Sequence, residues 1–451
     1  MSSEDYYGYT GLLARKLKEA GAVPGDVIRL KSRDEEFEGV LMPRFSLYRS
    51  DEVVVIKLGN GYNVGIRLAP DSSIEVVRKS ATGVQPRSLE TKGEGKRQIV
   101  LLGTGGTIAS KIDYRTGAVY PSMSPEDIVE WIPEIQEIAP FEAREVMNVF
   151  SEDITPKDWA RLAEEIYNEM NGGALGVVVA HGTDMMAYSA AAMAFAIANK
   201  PVPIVFVGAQ RSSDRPSTDS AINLKAAFIT AARAPFAEST IAMHGGTGDE
   251  FALVHRGVKA RKMHTSRRDA FQSVNDRPLA LVNLETGELK VIGRIYEERD
   301  PGKKPVLMNK FEDRVALIKA YPGFQPEVLE MLMNVGIRGV VIEGSGLGHI
   351  ANRAIDSIRK LTEAGIPVVM TSQCLFGRVN LNVYSTGRRL LEAGAIPGSD
   401  MLPETAFVKL SWILGNFGNE LEKVKELMLK NFVGEINPRH TLDLFPRWYH
   451  G

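Results

Sequence analysis

At 451 residues the chain is too long for one compact core, so two or three domains are expected, each with its own apolar centre. Its 54 basic and 56 acidic side chains nearly cancel, which excludes a strongly basic nucleic-acid binder, and no apolar run of about 18 residues is present to span a membrane. A single cysteine, Cys374, excludes a disulfide framework or a multi-cysteine metal site and reads as a small buried apolar residue; no metal is expected.

The chain starts acidic and polar, unlike the basic-then-apolar plan of a secretory signal, so the expected compartment is the cytoplasm. A short helix is predicted around Leu12, Leu13 and Leu17, followed by strand-like runs at 27–30, 39–42, 53–58 and 62–66. Gly59, Asn60 and Gly61 join the last two runs as a hairpin turn, because these residues tolerate positive φ. Short strands with close turns predict a small β-barrel over residues 1–80. Residues 81–97 are polar, charged and glycine-bearing without apolar periodicity, and read as a linker.

From Gln98 the pattern changes to α/β. The runs at 99–102, 177–180 and 204–207 are continuously apolar, as expected of parallel strands covered on both faces. Two helix starts are explicit: Ser124-Pro125-Glu126-Asp127 and Thr155-Pro156-Lys157-Asp158 each set a capping hydroxyl before a first-turn proline, with an acid three residues on. The second helix runs through Trp159, Leu162 and Ile166 to a stop at Asn171-Gly172-Gly173. A charged segment at 296–310 separates this block, 98–295, from a second at 311–451 with strands near 315–318, 339–342 and 367–370. The expected fold is thus two doubly wound parallel-sheet domains behind a small barrel.

In such sheets ligands meet the carboxyl ends of strands. The first candidate edge is Gly103-Thr104-Gly105-Gly106-Thr107-Ile108, a glycine-rich turn whose amides can face a ligand. A dinucleotide fingerprint would need glycine where Ile108 stands, although the loop alone leaves a nucleotide or phosphate site open. The second edge is His181-Gly182-Thr183-Asp184. A lone histidine at a strand end is more often structural than catalytic, and Thr183-Asp184 also reads as a helix cap. The basic run from Lys259 to Arg268, taken alone, reads as a solvated face.

Together, in this order and each after a buried strand, the two edges resemble the two signatures of the L-asparaginase family. The likeness continues through Val207-Gly208-Ala209-Gln210-Arg211, Asn223-Leu224 and Lys262-Met263-His264-Thr265, and covers residue 98 onward. It implies Thr107 as nucleophile and Tyr120 as its activating partner, with Tyr114 the competing choice. It also implies a second cluster of Thr183, Asp184 and Lys262, with Ser151 on the substrate α-carboxylate and Asp184 on its α-amino group. Gly106, Gly182 and Glu152 complete the implied substrate-binding set.

The chemistry is coherent on its own terms. A threonine hydroxyl is a weak nucleophile unless a neighbour takes its proton, a task open to a lysine of lowered pKa. Backbone amides at glycine turns can hold the oxyanion. Two positions depart from many bacterial members, Glu152 in place of glutamine and Met185 in place of threonine, which leaves the choice between asparagine and glutamine open.

The added barrel and the wording Ser151-Glu152-Asp153 and His181-Gly182-Thr183-Asp184-Met185-Met186 resemble the D subunits of archaeal glutamyl-tRNA(Gln) amidotransferases. That resemblance implies a homodimer that takes L-glutamine and releases ammonia to an E subunit, where ATP and Mg2+ act on glutamate charged to tRNA(Gln). No cofactor is implied for this chain itself. A stand-alone asparaginase is the second reading and a non-catalytic ligand-binding protein the third.

Overall fold

The computed structural model describes residues 6–32, 35–43, 52–58, 63–69, 71–79, 98–105, 110–112, 119–121, 135–211 and 218–445. The helix expected near Leu12 is Gly11–Glu19, and its Leu13, Ala14 and Leu17 turn inward at helical spacing. They pack on β1 (Val27–Ser32), β2 (Glu35–Leu41), β3 (Val53–Lys57), β4 (Asn63–Arg67) and β5 (Ser73–Arg78), an antiparallel sheet in the order β4-β3-β2-β1-β5. The pattern reading missed β5, in which no side chain is fully buried. Although β2 and β3 separate β1 from β4, the Ser32 hydroxyl at the end of β1 lies 3.4 Å from the Arg67 carbonyl at the end of β4. The sheet therefore curls on itself in barrel fashion, around Ile28, Leu30, Leu41, Val54, Ile56 and the buried Tyr9.

The next thirteen strands are β6 (Ile99–Gly103), β7 (Ser110–Ile112), β8 (Val119–Pro121), β9 (Phe141–Glu145), β10 (Gly176–Ala180), β11 (Ile197–Ala198), β12 (Ile204–Val207), β13 (Ser239–His244), β14 (Phe251–Arg256), β15 (Ala260–Lys262), β16 (Phe271–Ser273), β17 (Ala280–Asn283) and β18 (Leu289–Val291). Eight of them form the main sheet, in the order β18-β17-β14-β13-β12-β10-β6-β9. From β9 to β13 the ladders are parallel, and β10 and β12 are buried at every position, as their unbroken apolar runs require. Beyond β13 the sheet turns antiparallel through β14, β17 and β18, so it is mixed rather than wholly parallel. No alternating helix pattern separates these later strands, which is why hairpin-type neighbours replace crossovers.

Between the blocks, within 296–310, lies β19 (Val306–Leu307), and the second block carries β20 (Val315–Lys319), β21 (Gly339–Gly344), β22 (Val368–Ser372) and β23 (Ile396–Pro397), which make a four-stranded parallel sheet. The intervening segment 296–310 runs along the first block: Ala237 N–H donates to Glu297 O, Met308 N–H donates to Ala196 O, and β19 pairs with β11. The two blocks also share one apolar core. The helix Met186–Ala196 is buried nearly all round, its alanines letting the helix Pro403–Phe417 approach until Phe195 stacks on Trp412 at 5.5 Å. Among the described residues no helix is long and apolar enough to cross a membrane, and no group of three His, Cys, Asp or Glu is placed to hold a metal ion.

Candidate active site

Strand order places the site. Because β9 lies on one side of β6 while β10, β12 and β13 follow on the other, the chain reverses its winding between β6 and β10. The crevice at their carboxyl ends is the topological switch point, where open α/β sheets take ligands. Both threonine-bearing loops leave from it. Thr104 ties them together, its backbone N–H and its hydroxyl each donating to Ala180 O at 3.0 Å.

Three glycines allow the loops to close up. Gly105 has φ +99°, and a side chain there would stand 2.5 Å from Val149 O. A Cβ on Gly182 would stand 2.8 Å from that of Ser151, and one on Gly208 would stand 2.7 Å from Thr183 Cγ2. The segment after β9, the loop after β10 and the turn after β12 thus meet backbone against side chain around Ser151 and Thr183.

Lys262 reaches this point from β15, which lies outside the main sheet and, among the described residues, pairs only with β16. Its ammonium stands 2.9 Å from Thr183 Oγ1 and 2.7 Å from Asp184 Oδ1. The lysine side chain is 14% exposed and that of Asp184 is 64% exposed, so one carboxylate oxygen holds Lys262 while the group faces solvent. Thr183, Asp184 and Lys262 are brought together as the family resemblance implies. Ser151 is buried, its hydroxyl 3.4 Å from the exposed Glu152 carboxylate. Tyr120 lies on β8, opposite Lys111 of β7 in register. Thr107, Gly106 and Tyr114 lie outside the described residues, as do the helix start at Ser124 and the linker at 81–97.

His181 is structural in its surroundings. It is fully buried against Phe206, its Nδ1 stands 2.6 Å from Gly182 O, and burial pulls its pKa down to about 4. The turn at 208–211 is held by Asp219, a residue the motif reading passed over. Its buried carboxylate accepts from the N–H groups of Gln210 and Arg211 and from the Asn223 amide, which also donates to Gly208 O. A sequence signal existed, since Asp219 directly precedes the helix Ser220–Arg233.

Two expectations need correction. Cys374 is exposed rather than buried, because it follows the carboxyl end of β22 in a turn where its N–H bonds to the Ser372 hydroxyl. The basic run from Lys259 is not one solvated face. Lys259 is fully buried 2.7 Å from the equally buried Asp400, and Arg267 and Arg268 are tied to Asp269 and Asp249. The departures at Glu152 and Met185 share an environment: both line a cavity of about 270 Å³ walled by Ile154, Trp159, Tyr188, Leu317 and Phe407, at the junction of the two blocks.

Comparison with known proteins identifies the family of this fold. Residues 98–295 match the asparaginase N-terminal domain family, residues 314–428 the glutaminase/asparaginase C-terminal domain, and residues 22–77 the GatD N-terminal domain. The D subunit of glutamyl-tRNA(Gln) amidotransferase from Sulfurisphaera tokodaii is 48% identical over 444 residues, which is 98% of each chain. Its counterpart from Saccharolobus solfataricus is 48% identical over 442 residues, again 98% of each. Among solved structures, the thermostable L-asparaginase from Thermococcus kodakarensis aligns with a TM-score of 0.68 at 32% identity, over 76% of this chain and 100% of its own. A probable cytoplasmic L-asparaginase from Campylobacter jejuni aligns with a TM-score of 0.64 at 25% identity, over 74% and 100%. With the threonine–lysine site, both asparaginase domains and the additional N-terminal domain in one chain, the protein belongs to the GatD family, the D subunits of glutamyl-tRNA(Gln) amidotransferases.

Proposed function

We propose that this chain is the glutaminase component of a cytoplasmic tRNA-dependent amidotransferase. It takes L-glutamine, releases ammonia, and passes it to an E-type partner that uses ATP and Mg2+ to activate glutamate charged on tRNA(Gln). The observation that carries the reading is the Lys262 ammonium bridging Thr183 Oγ1 and Asp184 Oδ1 at the switch point, in a chain that also has the GatD N-terminal domain.

In this mechanism the Thr107 hydroxyl attacks the side-chain amide carbon while Tyr120, entering as its phenolate, takes the proton and becomes the neutral phenol. Amides of the glycine turn hold the tetrahedral oxyanion. Collapse returns a proton to the nitrogen, which leaves as ammonia, and Thr107 carries a glutamyl ester. Water then cleaves the ester and restores the threonine. Thr183, held by Lys262, faces this chemistry from the second loop, while Ser151 and the free oxygen of Asp184 take the α-carboxylate and α-ammonium. Ammonia acts as a nucleophile only while unprotonated, so direct delivery to the partner avoids its capture as ammonium in bulk water.

The test compares ammonia release from glutamine and from asparagine, with and without the partner and glutamyl-tRNA(Gln). Glutamine preference with stimulation by partner and charged tRNA is expected. Asparagine hydrolysis indifferent to both would favour the stand-alone asparaginase reading, which the likeness to L-asparaginases over 76% of the chain makes the second choice. A chain lacking residues 1–97 is expected to keep basal glutaminase activity and to lose most of its response to partner and tRNA. We also assign a homodimer, in which a neighbour's C-terminal block completes each site; an active monomer in gel filtration at low concentration would contradict it.

A further inference from the structure

Thr183 and Asp184 follow directly from a strand buried in the middle of the main sheet, but Lys262 does not. It ends a three-residue strand whose one ladder, among the described residues, is to the short β16. Such a ribbon has too few bonds of its own to hold an ammonium within a few tenths of an ångström. The missing constraint comes from the second block. Within the five residues ending at Lys262, three are tied to the turn that opens the helix Pro403–Phe417. The Thr405 hydroxyl donates to Val258 O at 2.8 Å, Lys259 Nζ stands 2.7 Å from Asp400 Oδ2, and Arg261 Nη1 stands 3.3 Å from Glu404 Oε1.

The turn is itself fixed. Asp400 accepts from Asn437 N and Asn437 Nδ2 at 3.0 and 2.9 Å, and its carbonyl accepts from Asn275 Nδ2 at 3.2 Å. Glu404 is buried, with Oε1 3.3 Å from Arg261 Nη1 and Oε2 without a hydrogen-bond partner among the described residues. The same helix also packs, through Phe407 on Tyr188 at 6.0 Å and Trp412 on Phe195, against the helix that begins just after Asp184. One helix of the second block therefore touches both supports of the Lys262–Asp184 pair.

We infer that the Asp400–Thr405 turn sets the position of Lys262 against Thr183 from within the same chain, with Glu404 and Arg261 as positioning residues that never meet substrate. The inference rests on the reading of Lys262 as part of the catalytic site. Its consequence is that the second block contributes to its own chain's chemistry as well as to core packing.

The experiment measures kcat and KM for glutamine hydrolysis in the full chain with Arg261→Met, Glu404→Gln, Thr405→Val, the Arg261→Met/Glu404→Gln pair, Arg261→Lys, and Lys262→Met as reference. Thermal unfolding of each variant reports folding. Misplacing a reacting group by about 1 Å costs on the order of 100-fold in rate. Losing one of three ties is therefore expected to lower kcat roughly 10-fold with KM changed less than about 2-fold. The paired variant should fall no further than the worse single, and Arg261→Lys should recover much of the loss by keeping the charge. Asp400→Asn is left out of the decisive set because its buried partner makes misfolding the simplest outcome. If Lys262→Met is inactive while all the folded turn variants keep normal kcat, the positioning role is overturned and the site reading stands. If Lys262→Met is itself fully active, the site reading fails and this inference falls with it.

Discussion

Lys259 and Lys262 sit three residues apart on the same stretch of chain, and each is paired with an aspartate at 2.7 Å. Their environments are opposite. Lys259 and Asp400 are wholly buried, whereas the Asp184 side chain is 64% exposed and Lys262 also touches a threonine hydroxyl. Two charges withdrawn from water must satisfy each other, and burial pulls the Lys259 pKa below its usual value against the opposing pull of Asp400. A pair at the edge of a crevice leaves the Asp184 carboxylate open to solvent and a threonine hydroxyl beside the ammonium. The first pair joins the two blocks, and the second is the one proposed to take part in the chemistry.

The sharpest way to break that contrast is at the open pair. Lys262→Met and Thr183→Ala are each expected to lower glutamine hydrolysis by about 10²- to 10⁴-fold while changing stability by no more than about 1 kcal/mol. Steady-state rates beside denaturant midpoints check this, and near-normal turnover in either variant would remove the site assignment. At the closed pair the effect should invert. Lys259→Met leaves Asp400 buried without its cation and is expected to cost about 3–5 kcal/mol of folding stability. A midpoint equal to that of the parent protein would mean that Asn437 and Asn275 suffice to hold Asp400.

Acid should act on the closed interior through two buried histidines. His181 and His255 are fully buried, each has an Nε2 without a hydrogen-bond partner among the described residues, and burial lowers both pKa values to about 4. Unfolded histidines take up protons near pH 6.5, while these two stay neutral in the folded chain until about pH 4. Stability is thus intact above about pH 6.5, falls between there and about pH 4, and levels off below, by roughly 3 kcal/mol for each histidine. Unfolding midpoints at several pH values test the window, and His255→Asn should flatten its slope. The smallest expected effect is at Thr104, whose hydroxyl doubles a backbone bond to Ala180 O: Thr104→Val should cost about 1 kcal/mol and leave the glycine turn in place.

Much of this architecture was readable in the sequence because the signals are local. Unbroken apolar runs mark β6, β10 and β12, since a strand covered on both faces has no polar side to show. The Thr155–Asp158 capping box is a three-residue relation, and it forms at 2.8 Å. The threonine motifs were legible because glycines are required wherever three loops crowd one point, and glycine at Gly105, Gly182 and Gly208 is visible in the letters alone. Tertiary structure alone decided which lysine of a basic run would be buried, because Asp400 lies 141 residues from Lys259 and no local pattern announces a partner that distant. It likewise decided that β14, β17 and β18 add antiparallel to the sheet, that Cys374 faces solvent, and that Lys262 meets Thr183 across 79 residues of chain. Hydrophobic period and capping act within a few residues, whereas the pairing of buried charges is set by which surfaces the folded blocks press together.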